Sequence, residues 1–249
     1  MRKRFLILFV LFFTIGCSSV PSTGAANPPA ENLRQNSNTE DNLMPNQGKE
    51  AEDAIAYHDT SSVRVLVNKQ NELPSSYVPP DLAEVNIPFT FSEKAEKRML
   101  RQEAALKLAE LFEAAKKESI ILYGVSGYRS YKTQKDLFAI FTSRYGSEEK
   151  ANQISARPGQ SEHQTGLAMD VTCRSVNFGL EESFGDTKEY AWLKENAHRY
   201  GFIIRYPKGK ELITEYTYEP WHLRYVGPEL ATKLYEKKVT YEEYLFFKV

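Results

Sequence analysis

The chain carries four histidines in 249 residues, so the places where they sit next to carboxylates are few. In "SEHQTGLAMD" (161–170), His163 precedes Asp170 by seven residues, with Gly166 between them. In "TYEPWHLRYV" (217–226), His222 follows Glu219 by three. Asp170 enters an apolar run beside Val171, and Glu219 sits among Tyr218, Pro220 and Trp221. A charged carboxylate in such company is costly unless it is paired, hydrogen-bonded or bound to a metal. Two imidazoles and one carboxylate make a three-ligand site for zinc with a fourth position left for water. A second carboxylate near that water could act as general base. For either motif alone a hydrogen-bonded core histidine is the better reading; together they call for His163, Asp170 and His222 as ligands and Glu219 just outside them.

The other histidines fit bland roles. His58 stands at the edge of a polar segment, and His198 lies near the end of a helix, where an imidazole suits the helix dipole. One geometric condition attaches to the site. In a regular strand, Glu219 and His222 would face opposite sides. The site therefore needs a bend or bulge between them, for which Pro220 is the natural cause.

The elements that must position these residues follow from periodicity and caps. The spacing predicts a long helix from Ser92 as N-cap through Glu118, with Ala105, Leu108, Leu111, Phe112 and Ala115 on one face. "SVRVLVNK" reads as a strand leading into a proline-punctuated arm, and "IILYGV" (120–125) as a short buried strand. Ser130 caps a helix over "YKTQKDLFAIFTSRYG", and a short helix follows at about 147–155. "AMDVTC", "FIIRY" and "YEPWHLRYV" read as strands, 187–200 as a helix ended by Gly201, and Pro228 and "TYEEYLFF" as the starts of two last helices. Helices cluster early and strands late, which makes the fold class α+β.

The N-terminal residues read differently. "MRKR" followed by "FLILFVLFFTI" has the basic start and the eleven-residue apolar run of a signal peptide, too short for a membrane span of roughly 20 residues. "TIGC" resembles a lipobox, with Thr14 a departure from its usual residue, and would make Cys17 the lipidated residue. Residues 1–17 are accordingly a lipoprotein signal peptide, 18–60 a polar linker without the means to form a core, and 61–249 one domain. Cys173 is the only other cysteine, which leaves no disulfide once Cys17 carries a lipid. Alternation along "DVTC" puts Cys173 opposite Asp170 as a small buried hydrophobe. A net charge of −1 gives no electrostatic reason to expect nucleic-acid binding.

"SEHQTGLAMD", "EPWHLRY" and "SGYRSYKTQ" together resemble the VanY/LdcB-type D-alanyl-D-alanine and L,D-carboxypeptidases, over roughly residues 63 to 249. The resemblance implies a small mixed or antiparallel sheet flanked by helices. It also implies one zinc ion held by His163, Asp170 and His222, with Glu219 as catalytic base in place of Glu162, the acid next to His163. Arg129, Gln134 and Ser161 match positions that hold the substrate, Arg129 through the planar fork that suits a terminal carboxylate. The expected activity is removal of the C-terminal D-alanine from peptidoglycan stem peptides by a monomer tethered outside the membrane. The arm "LVNKQNELPSSYVPPDL" leans towards L,D-cleavage of tetrapeptides. D,D-cleavage of pentapeptides is the alternative, and a non-catalytic peptidoglycan-binding lipoprotein comes third, disfavoured because a binder has no use for Glu219.

Overall fold

In the computed structural model, residues 56–247 are described. The expectations for the signal peptide, the lipidated Cys17 and most of the linker lie outside them. Two short strands come first, β1 (Leu82–Glu84) and β2 (Met99–Arg101), antiparallel with Ala83 opposite Leu100. The long helix expected from Ser92 starts only after them, as α1 (Gln102–Lys117). Its register is as expected, with Ala105, Leu108, Leu111, Phe112 and Ala115 buried. Six of the ten residues ahead of it are taken by a 3-10 turn at Glu96–Arg98 and by β2, where Leu100 is fully buried and Arg101 Nε donates to Asp81 Oδ1 at 2.8 Å. Strand pairing and burial override a helical pattern here, because propensity differences are only tenths of a kcal/mol per residue.

A second correction concerns "SVRVLVNK". Val65, Leu66 and Val67 are buried as a strand would bury them, but no strand forms. The carbonyls of Val63 and Val65 accept instead from Arg224 Nη2, at 3.2 and 2.5 Å.

β3 (Tyr123–Ser126) leads into α2 (Tyr131–Tyr145), where the Ser130 side chain accepts from the Thr133 amide, and then α3 (Glu148–Ala151), shorter than the spacing suggested. β4 (Ala168–Thr172) is buried at all its residues, and Cys173 just beyond it is fully buried and free. α4 (Lys188–Asn196) continues as a 3-10 turn to Tyr200 before Gly201. β5 (Phe202–Tyr206), α5 (Glu211–Thr214), β6 (Glu219–Tyr225), α6 (Pro228–Lys237) and α7 (Tyr241–Phe246) complete the fold.

The main sheet has the order β3-β4-β6-β5 and every pairing in it is antiparallel. Its apolar side packs against α1 and α4: Leu108, Leu111, Phe112 and Leu193 meet Leu167, Met169, Val171, Phe202 and Leu223 in one cluster. Two registers matter for chemistry. Asp170 lies directly opposite His222 across β4 and β6, and also faces Ser126 across β3. At the other edge Ile204 faces Leu223 while Tyr206 faces Glu219, so β6 takes four steps where β5 takes two. That irregularity lies where the site required one, around Pro220.

Candidate metal centre

His163 sits in a 3-10 turn (Glu162–Thr165) that ends on Gly166 at φ +67°. A side chain at Gly166 would be strained by that φ, and its Cβ would stand 2.9 Å from Leu82 Cδ2. The turn delivers His163 Nδ1 to within 2.8 Å of the Gly127 carbonyl. A carbonyl only accepts, so Nδ1 carries the proton and Nε2 is left with its lone pair. Nε2 stands 3.3 Å from Asp170 Oδ2. Gly127 is itself held by its amide, which donates to the Lys97 carbonyl at 2.7 Å, and a Cβ there would fall 2.5 Å from the Met99 carbonyl oxygen. The unexpected turn and strand ahead of α1 thus form the seat for this loop.

His222 reaches the same point from β6. Its Nδ1 is 3.0 Å from Asp170 Oδ1, and its Nε2 is 3.1 Å from Glu162 Oε2. Residues directly opposite in an antiparallel pair project from the same face, which is why 52 residues of separation collapse into one contact. Ligand atoms of His163, Asp170 and His222 all lie within 4.8 Å of one another, and all three residues are buried. Burial opposes the ionised Asp170, but His163 and His222 outweigh it and hold its carboxyl well below the usual range. Burial likewise disfavours the charged His222 ring, yet its bonds to Asp170 and Glu162 carry it up to about 9. Two imidazole nitrogens and one carboxylate oxygen are a donor set that suits zinc, with a coordination position left for a molecule from the cleft.

Glu219 lies 3.9 Å from His222 Nδ1, on the same side of the bent strand. Burial raises its carboxyl to about 7; His222 works against the rise and Asp170 adds to it. Arg129 approaches from the β3–α2 loop, with Nη2 4.0 Å from Asp170 Oδ2. Its Nη1 donates to Gln134 Oε1 at 2.8 Å and its Nη2 to Ser126 Oγ at 3.0 Å. These side chains open on a cleft of about 360 Å³, to which Ser161, Glu219 and Arg129 contribute polar atoms and Leu137, Phe141, Ile154 and Trp221 an apolar wall. Gln134 does not line it. That side chain is fully buried behind Arg129, and its Nε2 donates to Ser155 Oγ at 3.2 Å and to the Ala156 carbonyl at 2.6 Å. His58 is exposed, and His198 stacks on Tyr235 with ring centroids 3.9 Å apart, both away from the cleft.

The part that sequence reasoning missed is Glu162. Its side chain is fully buried, and its Oε1 accepts from Arg205 Nε at 2.7 Å and Arg224 Nη1 at 2.8 Å. Burial would raise this carboxyl, but the two guanidinium groups hold it well below the ordinary range. A signal was available: "FIIRY" and "HLRYV" each place an arginine in an apolar strand, and such arginines need a buried acid.

The profile of the VanY family, described as D-alanyl-D-alanine carboxypeptidase, matches residues 97–228 and so takes in every residue of this site. The chain belongs to that family. As a VanY-family protein it is a carboxypeptidase, hence a hydrolase. It is 53% identical to YodJ of Bacillus subtilis (strain 168), over 74% of this chain and 67% of YodJ. Among solved structures, the LdcB LD-carboxypeptidase, whose structure addresses peptidoglycan recognition, superposes with a TM-score of 0.73. The identity is 52%, over 76% of this chain and 88% of LdcB. A VanY D,D-pentapeptidase in complex with Zn(II) superposes with a TM-score of 0.61 at 33% identity, over 75% of this chain and 99% of the pentapeptidase. Among the described residues of this VanY-family chain, no helix is long and apolar enough to cross a membrane.

Proposed function

We propose that the protein is a zinc-dependent carboxypeptidase that removes the C-terminal D-alanine from peptidoglycan stem peptides. The observation that carries this is the convergence, on one cleft, of His163 Nε2, Asp170, His222 Nδ1, Glu219 and Arg129. Zinc held by His163, Asp170 and His222 would supply Lewis acidity towards the scissile carbonyl and the attacking water. Glu219 takes the proton of that water and hands it to the leaving amine; its buried, raised carboxyl suits both transfers. Arg129 binds the terminal carboxylate. A guanidinium has five N–H groups, of which Gln134 and Ser126 occupy two, so a fork remains for bidentate contact. Gln134 acts on the substrate through Arg129, and Ser161 offers a polar contact to the peptide from the cleft wall.

The greater likeness to LdcB than to the D,D-pentapeptidase supports L,D-cleavage of tetrapeptides over D,D-cleavage of pentapeptides. The proposed enzyme is a monomer tethered at Cys17 and facing the cell wall. Digestion of defined muropeptides with and without a chelator tests bond and metal together. Release of D-alanine from tetrapeptide, abolished by chelation, is expected. Release from pentapeptide alone would overturn the L,D assignment.

A further inference from the structure

On the Nε2 side of His222 lies a buried ionic network of Glu162, Arg205, Arg224 and Glu242, their side chains at most 7% exposed. Arg205 donates from Nε to Glu162 and grips Glu242 with both ends of its fork, at 2.8 and 2.5 Å. Arg224 joins the same Glu162 oxygen to the carbonyls of Val63 and Val65. The two positive and two negative charges cancel. An apolar cluster of the same volume would often be as stable or more so, which makes stability a poor account of such a network.

Its geometry supplies another. Oε1 of Glu162 takes both arginine bonds, and Oε2 is left to His222 Nε2. A carboxylate only accepts, so Nε2 donates to Glu162, and Nδ1, turned to Asp170, carries the hydrogen that a bound metal would displace. The His222 ring is therefore oriented by Glu162, and Glu162 by Arg205, whose far side is held by Glu242 of α7. That helix is anchored independently: Thr240 and Glu243 form a capping box, and the Tyr241 hydroxyl donates to the Arg64 carbonyl.

We propose that Glu242, on the last helix, is a positioning residue for the metal centre, acting through Arg205 and Glu162 to hold His222 with Nδ1 towards the cleft. This rests on the reading of His222 as a ligand. Outer partners of ligating histidines are commonly worth ten- to a hundredfold in metal affinity.

The test compares Glu242→Gln, Glu162→Gln and Glu243→Gln with the unaltered full chain, reading zinc affinity by competition with a chromophoric chelator. Imidazole ¹H–¹⁵N spectra of the zinc-loaded proteins report the His222 Nε2–H directly. Glu242→Gln and Glu162→Gln should each lower affinity ten- to a hundredfold, with a faster-exchanging Nε2–H. Glu243→Gln, on the same helix as Glu242, keeps the capping box, whose third residue can be glutamine, but breaks the 2.7 Å ion pair with Lys210, off the path to His222. It should lower the melting temperature slightly and leave affinity within about twofold. Glu162→Gln keeps the Arg205–Glu242 pair and the docking of α7, so it carries the test if Glu242→Gln does not fold. Unaltered affinity and Nε2–H exchange in Glu242→Gln would overturn the coupling, as would an equal loss in Glu243→Gln. A wild-type chain that takes up no zinc would overturn the metal reading itself.

Discussion

Replacing Glu219 by glutamine should make the metal-free protein more stable while destroying its activity. The rise of this carboxyl from its ordinary 4.5 to about 7 comes first from burial. Each pKa unit corresponds to 1.36 kcal/mol, so at high pH the metal-free fold carries about 3 kcal/mol of cost for the ionised form. The sign follows from proton counting. Between pH 4.5 and 7 the unfolded chain releases this proton and the folded chain keeps it, so stability falls across that window and the full cost is present above pH 7. Glutamine removes that cost and keeps the shape. In chelator, Glu219→Gln should match the wild type near pH 4 and exceed it by up to about 3 kcal/mol at pH 8. For a domain of this size that is up to about 6–12 °C in melting temperature. With zinc restored, turnover should fall by about 10² to 10⁴, the usual worth of a positioned general base. Thermal melts at the two pH values and a D-alanine release assay check both halves. A variant no more stable than wild type at pH 8 would refute the buried-carboxyl argument, and one that keeps full turnover would refute the role of base.

Chelation should abolish D-alanine release and zinc should restore it; zinc at a hundred times its Kd should add about 2.7 kcal/mol of stability. A melting temperature indifferent to zinc would count against a bound metal. Arg129→Lys should lower kcat/KM by about ten- to a hundredfold, since lysine cannot reproduce the fork and leaves Gln134 Oε1 buried without its donor; steady-state kinetics on tetrapeptide check it. Gly127→Ala puts a Cβ 2.5 Å from the Met99 carbonyl and 2.9 Å from Met169 Cε. It should cost about 1–3 kcal/mol in denaturant titrations and weaken zinc binding as the His163 contact shifts.

Much of this protein was legible in its residues because the signals are local. Caps, glycines and periodicity mark helices and strands within a few residues of themselves, and Ser130, Gly166, Gly201 and Pro228 each stand where an element starts or stops. The scarcity of histidine singled out His163 and His222, and their acidic neighbours suggested a metal. Even the break in β6 could be required beforehand, because strand alternation forbids Glu219 and His222 on one face without it.

The rest depended on pairings between distant segments. Residues 92–101 carry a helical pattern, yet Met99–Arg101 pair with β1, and the Lys97 and Met99 carbonyls accept from the Gly127 and Tyr128 amides, a choice made by partners that no local window contains. "SVRVLVNK" has strand composition, but the guanidinium of Arg224 takes the carbonyls a sheet would have used. Glu162 shows the limit most clearly. By sequence it is the acid beside a histidine; in three dimensions its carboxylate is fully buried and tied to two arginines from neighbouring strands, which neutralise it where water cannot reach. Residue types and spacing determined which chemistry was available to this protein. Tertiary structure decided which carboxylate faces the cleft and which holds a ring in place, since that depends on where each buried charge finds its partner.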